Sequence, residues 1–154
     1  MSTRCRIDFV IKWIDENGKE HIERRCVYRH SDGYPEDVIP DLKKFLKWNA
    51  GRNNDVEYTT ANFIYWSKRR MEKYLGKGEK WVDKDNNSIC HIGFGVCAED
   101  CWHGDLEYYY EVLLNSDIIT KSKIIKSKVY EVKVYEMPDK KRSKIVNIPK
   151  FEEK

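Results

Sequence analysis

The sequence lacks long apolar runs. Its longest are only a few residues, too short to cross a bilayer, so no membrane span is expected. It has little net charge: 29 Lys and Arg stand against 26 Asp and Glu, a formal +3. That balance excludes a histone-like polycation and by itself names no partner. It has only five cysteines, Cys5, Cys26, Cys90, Cys97 and Cys101, and Met1-Ser2-Thr3-Arg4 leads into no apolar signal region. An odd count without a secretion signal points to reduced thiols in the cytoplasm. No internal repeat or low-complexity tract occurs. Several signatures are missing too: the Gly-rich phosphate loop ending in Lys-Ser/Thr, the dinucleotide fingerprint, the zincin helix and the nucleophile elbow. Asp83-Lys84-Asp85-Asn86-Asn87 opens like a calcium loop. Ser88 stands where such a loop needs Gly and Phe94 where it needs Glu, so an EF-hand is excluded.

What is present is a core. Ten Tyr, five Trp and five Phe, within 40% hydrophobic residues, argue for a packed interior. A chain of 154 residues fits a single domain over 1–154, with a frayed tail from about 149. At this size roughly 70% of the unfolded surface can be buried without a disulfide or metal staple.

Residues 5–13 alternate, with Cys5, Ile7, Phe9, Ile11 and Trp13 on one face and Arg6, Asp8, Val10 and Lys12 facing out. Asn17-Gly18 signals a hairpin turn. The returning strand, about 21–30, would point Ile22, Cys26 and Tyr28 inward and His21, Glu23, Arg25 and Arg29 away. Arg24 then falls on the apolar side and needs a bulge or a partner carboxylate. Gly33 permits positive φ, and Pro35 suits a helix start. Val38, Leu42, Phe45 and Leu46 form that helix's buried stripe, with Glu36, Asp37 and Asp41 near its positive end. Residues 49–55 read as a loop.

A second helix is predicted from Thr59 or Thr60, with Ala61, Ile64, Met71 and Leu75 at helical spacing and Gly76-Lys77-Gly78 ending it. A polar loop (82–88) and a strand (89–97) follow. Gly93 and Gly95 leave one side of that strand thin, as where a helix or ligand comes close. Further strands are expected at 105–114, 129–135 and 143–148, with a Lys-rich link at 121–128 and a turn at 137–142. The pattern predicts an α+β fold: a largely antiparallel sheet of five or six strands with two helices on one face.

Two segments carry candidate chemistry. Tyr28-Arg29-His30-Ser31-Asp32-Gly33-Tyr34-Pro35 sits at a strand-to-helix junction, and Trp102-His103-Gly104-Asp105 enters a strand. Each sets a His and an Asp two residues apart, where alternation aims both side chains one way. Such a pair can act as acid and base or ligate a metal. His30, Asp32, His103 and Asp105 are therefore the catalytic candidates, on the condition that the two strand ends meet. Cys97, Cys101 and His103, with Cys90 or His91, are weaker candidates for zinc. No other cofactor is expected. Charge is segregated: 98–117 holds six acidic residues and no Lys or Arg, and 67–80 holds six basic against two acidic. Basic residues among Trp66, Tyr74 and Trp81 could grip a phosphate backbone and stack on bases.

Ser2-Thr3-Arg4, the central Tyr28-Arg29-His30-Ser31-Asp32-Gly33-Tyr34-Pro35 and the late Gly104-Asp105-Leu106-Glu107-Tyr108-Tyr109-Tyr110 resemble the signature of a family of small uncharacterised proteins from prokaryotic and phage genomes. The match runs in order over about 2–110. Ser31 replaces the family's usual aromatic. The resemblance implies no activity. It nominates Arg4, Tyr28, His30, Asp32, Gly33, Tyr34, Pro35, His103 and Asp105.

The leading expectation is a binding module for a phosphate-containing ligand, a nucleotide or a nucleic acid. Arg4 and Arg29 would hold phosphate, His30 and Asp32 would orient the ligand, and Tyr34 or Trp102 would stack on a base. The rivals are a small hydrolase with a His/Asp acid–base pair and a factor that meets a protein partner through exposed aromatics and the acidic 98–117 segment.

Overall fold

The protein is described by a computed structural model covering residues 3–75 and 92–151. Its strands are Cys5–Ile14 (β1), Glu20–Arg29 (β2), Phe94–Cys97 (β3), Tyr108–Ile119 (β4), Ile124–Ile125 (β5), Val129–Glu136 (β6) and Lys141–Pro149 (β7). Its helices are Pro35–Trp48 (α1) and Val56–Leu75 (α2), with a 3-10 turn at Ala50–Arg52 between them. Among the described residues, no helix is long and apolar enough to cross a membrane.

The sheet runs β3-β2-β1-β4-β6-β7, with β5 against β4. Among the described residues it is a mixed sheet with six strands on that path and β5 beside it, not the largely antiparallel sheet that local patterning predicts. The difference lies at its centre, where β1 and β4 run parallel, Cys5 opposite Tyr108 and Val10 opposite Leu113. A hairpin announces itself in its turn residues. A parallel pairing joins segments far apart in the chain and leaves no local mark.

The hairpin between β1 and β2 forms as its residues dictate. Gly18 takes φ 78°, and the Asp15 carboxylate accepts the backbone N–H groups of Asn17 and Lys19. Its register sets Cys5 opposite Arg29, Ile7 opposite Val27 and Asp8 opposite Cys26. Facing residues share a side of the sheet. Val27 therefore joins the core with Ile7, while Ile22 is exposed, and the inward and outward sides predicted for the second strand are exchanged.

The core cluster joins Cys5, Ile7 and Phe9 of β1 to Val38, Leu42, Phe45 and Leu46 of α1, Val56 and Phe63 of α2, and Tyr110, Val112 and Leu114 of β4. Phe9 lies 6.0 Å from Phe45 and 5.3 Å from Phe63 between ring centroids. α1 begins at Pro35 and buries the stripe its spacing predicts.

α2 starts earlier than predicted. Asp55 caps it, its Oδ1 accepting the N–H groups of Glu57 and Tyr58. Thr59 and Thr60 lie buried inside the helix and donate their hydroxyls to the carbonyls of Arg52 and Val56. Over residues 56–71 its buried positions are Val56, Thr59, Thr60, Phe63 and Ser67, while Ala61 is exposed. The 49–55 segment is anchored inside: Asn53 Nδ2 donates to Leu46 O and Tyr130 Oη. The predicted loop at 82–88, the Gly76-Lys77-Gly78 helix end and residues 89–91 of the third predicted strand lie outside the described residues. β4 starts at Tyr108 rather than 105 and continues to Ile119, and β7 begins at Lys141.

Candidate functional site

The starts of β1 and β4 and the end of β2 come together at one rim of the sheet. Glu107 N–H donates to Arg4 O, which draws the entrance of β4 beside the residue that precedes β1. Tyr28 and His30, two residues apart, aim the same way. His30 N–H donates to Gly93 O at 2.8 Å. Gly93 has to be glycine here, because a β-carbon on it would lie 2.4 Å from His30 Cβ. The thin side predicted at Gly93 is thus filled by His30, while Gly95 faces open space.

Arg4 ties the two candidate segments into one cluster. Its Nε donates to His30 Nδ1 at 3.3 Å, and its Nη1 pairs with Asp105 Oδ2 at 2.9 Å. Tyr28 Oη lies 2.9 Å from the same His30 nitrogen, and the Tyr28 ring sits 4.4 Å from that of His103. A guanidinium N–H can only donate. His30 Nδ1 therefore accepts, and the neutral ring carries its proton on Nε2. Burial and the Asp105 carboxylate push the Tyr28 hydroxyl above the ordinary tyrosine value. The hydroxyl stays protonated and able to donate. Arg4 is a third exposed, and His103 and Asp105 are exposed, so the cluster opens to solvent.

Asp32 does not join it. Its backbone takes φ 56°, which ends the alternation and sends it to a groove of about 360 Å³ that Arg29, Asp41, Trp66, Arg70 and Phe94 also line. The predicted His30/Asp32 pair is thereby split between two sites. Gly33, expected to supply the positive φ, instead serves close approach: its N–H donates to Thr3 O, and a β-carbon would stand 2.8 Å from that oxygen. The Gly33 carbonyl accepts the buried Tyr110 hydroxyl at 2.6 Å.

Three of the predicted ligand contacts are already engaged within the protein. Arg29 is 3% exposed, pairs with Asp41 at 3.0 Å and donates to Ser31 O. Trp102 is covered on one face by the Arg6 guanidinium, 3.8 Å from its ring centroid, and meets Tyr109 edge-on. Tyr34 is exposed and meets Tyr108 edge-on, with ring centroids 5.9 Å apart. The zinc candidates are not gathered. Cys97 contacts Cys26, Cys101 is exposed, His103 lies on Tyr28, and Cys90 and His91 fall outside the described residues. Among the described residues, no group of three or more His, Cys, Asp or Glu is placed to hold a metal.

A larger polar assembly, missed in the sequence, lies beneath. Arg6 is 1% exposed and Asp8 fully buried, although alternation assigns both to the solvent side. Asp8 accepts from Arg6 Nε at 2.7 Å, from Arg24 Nη1 at 2.8 Å and from Tyr109 Oη at 3.0 Å. Glu111 supplies Arg24 with a second carboxylate at 3.3 Å. Burial works against the Arg24 charge. Its hydrogen bond to Asp8 and the field of Tyr109, Glu111 and Asp8 outweigh that, and its pKa lies above the ordinary arginine value. The one sequence signal was Arg24, whose demand for a carboxylate is met without a bulge. Arg6 also donates to the carbonyls of Glu99 and Cys101, which clamps the loop that carries His103 and Asp105.

Comparison with protein-family models, with curated proteins and with solved structures finds no match to this chain.

Proposed function

We propose that the protein binds a phosphate-containing ligand, a nucleotide or a nucleic acid, through Arg4, His30 and His103, with Tyr28 as support. The observation that carries this reading is the double contact of Arg4 with His30 and Asp105, which joins the two segments the sequence singles out. A guanidinium presents several donors in a fork that matches phosphate oxygens. Asp105 is 54% exposed and occupies one side of that fork. An incoming phosphate displaces it, while the His30 Nε2–H adds a donor. Arg4, Tyr28, His30, His103 and Asp105 are also the meeting part of the signature shared with the prokaryotic and phage family, and membership of that family belongs to this proposal.

The test is titration with nucleotides and with labelled RNA and DNA oligonucleotides, followed by anisotropy or calorimetry. Arg4→Ala should weaken binding by at least about tenfold, the scale of a lost charge-assisted hydrogen bond. Gly93→Ala should weaken it by displacing His30. Asp105→Asn should strengthen it by removing a competing anion. Asp32→Ala, in the separate groove, should change nothing. Unchanged affinity in both Arg4→Ala and His30→Ala sinks the site.

A second reading is favoured by two imidazoles resting on one tyrosine ring, with centroids 6.0 Å (His30) and 4.4 Å (His103) from that of Tyr28. It is acid–base hydrolysis of the bound phosphoester, with His103 moving the proton and His30 holding the phosphate. Turnover lost in His103→Ala with affinity retained would favour hydrolysis over binding alone.

A further inference from the structure

Cys26 of β2 and Cys97 of β3 stand directly opposite each other in an antiparallel pairing. His30 N–H donates to Gly93 O four residues along the same pairing, so Cys26 and Cys97 also fall on a hydrogen-bonded pair. Such pairs hold their Cα atoms about 5.5 Å apart. A disulfide tolerates Cα separations of about 4.4–6.8 Å but needs its β-carbons about 3.5–4.5 Å apart, so closing it draws the edge strand β3 toward β2. As residues directly opposite in the pairing, both side chains lie on one face of the sheet. Arg6 Nη2 lies 2.9 Å from Cys26 Sγ. Cys26 is 2% and Cys97 9% exposed, but Cys97 belongs to the sheet's outer strand and follows the exposed Val96.

We propose that Cys26 and Cys97 form a redox-active pair that a hydroperoxide converts to a disulfide. The thiolate is the nucleophile, and a guanidinium beside a thiol pair favours it. The Cys26 hydrogen bond, helped by Arg6, holds the Cys97 thiol below the ordinary cysteine value despite burial. The same contact, with burial, raises Cys26. Cys97, on the edge strand and the more exposed of the two, is the attacking sulfur. Its thiolate takes the outer oxygen of the peroxide, the O–O bond breaks, and the departing hydroxide picks up a proton. Cys97 becomes a sulfenic acid. The Cys26 sulfur then attacks Cys97 Sγ, loses its proton and expels the hydroxyl as water. Two thiols are oxidised by two electrons, and one hydrogen peroxide becomes two waters. Cys5 takes no part: it is fully buried, and burial pushes its thiol up to about 12.

The experiment treats the reduced full chain with hydrogen peroxide and reads intact mass, followed by peptide mapping without reductant. The expected result is loss of two hydrogens, about 2 Da, and one crosslinked peptide pair holding Cys26 and Cys97. The Cys101→Ser variant should give the same crosslink. In Cys26→Ser, the sulfenic acid at Cys97 should persist and be captured by dimedone. The proposal is overturned by an unchanged mass, by a crosslink that joins Cys97 to Cys90 or Cys101, or by dimedone labelling confined to Cys101. The wild-type crosslink decides the matter even where Cys26→Ser fails to fold.

Discussion

The two faces of β1 bury comparable side chains by opposite chemistry. On one, Cys5, Ile7 and Phe9 meet the apolar residues of both helices. On the other, Arg6 and Asp8 are as deeply buried, among Arg24, Tyr109, Glu111 and Trp102. The apolar face is held by non-directional burial, which tolerates any filler of suitable volume. The polar face is held by partners at defined distances, and each buried charge is costly once its partner is gone. That face also supports the candidate site, since Arg6 clamps the loop that delivers His103 and Asp105.

Truncations of adjacent residues test this contrast most strongly. Asp8→Ala leaves Arg6 without its carboxylate partner and should lower unfolding stability by about 3–5 kcal/mol in urea titration. Phe9→Ala should lose a similar amount, about 3–5 kcal/mol, through a cavity. A loss below about 1 kcal/mol for Asp8→Ala would mean that the polar face carries little of the fold.

Removing the charges together separates the two mechanisms. Arg6→Met, Asp8→Leu and Arg24→Met combined should cost less than Asp8→Ala alone, because only the half-buried Glu111 then loses its partner. The same triple variant releases the loop at 99–101, so the proposed phosphate affinity should fall even though the melting temperature drops less than in Asp8→Ala. Retained affinity would show that Arg6 does not position His103.

Trp102→Ala uncovers the Arg6 guanidinium. The expected loss is smaller, about 0.5–2 kcal/mol, the range of a partly exposed cation–π contact.

The smallest effect belongs to Asp15, the half-buried counterpart of Asp8. Its hydrogen bond to His21, then those from Lys19 and Asn17, hold its carboxyl below the ordinary value of 3.8. The folded pKa is depressed, so this contribution is complete above 3.8 and is lost as pH falls through the lower folded value. Asp15→Asn should flatten the acid limb of the stability curve in that window and barely change it at neutral pH. Equal acid sensitivity in variant and wild type would remove Asp15 as a contributor.

Much of this was legible in the sequence because it depends on neighbours along the chain. The β1–β2 hairpin follows from alternation and Asn17-Gly18. α1 follows from Pro35 and its apolar stripe. Arg24 announced its need for a carboxylate, whereas His103 and Asp105 lie in the loop before β4 and reach the cluster through Tyr28 and Arg4 rather than through strand alternation. The remainder depended on contacts distant in sequence. The side occupied by β2 was misread because Ile22 and Cys26 look apolar, whereas register against β1 puts Val27 inside. Asp32 left the site because one positive φ reversed its direction. Arg6 and Asp8 were assigned to solvent because alternation distinguishes two faces but cannot tell whether a loop covers the second.

By itself the sequence determined the local elements, the hairpin turn and the residue types able to hold a phosphate. Backbone propensity and side-chain period act over a few residues, and they suffice for these. Only the tertiary structure decided that β1 runs parallel to β4, that Arg4 meets both His30 and Asp105, and that Cys26 faces Cys97. Each of these joins segments remote in the chain. They form only when burial of both sheet faces offsets the entropy of closing the long loops between them.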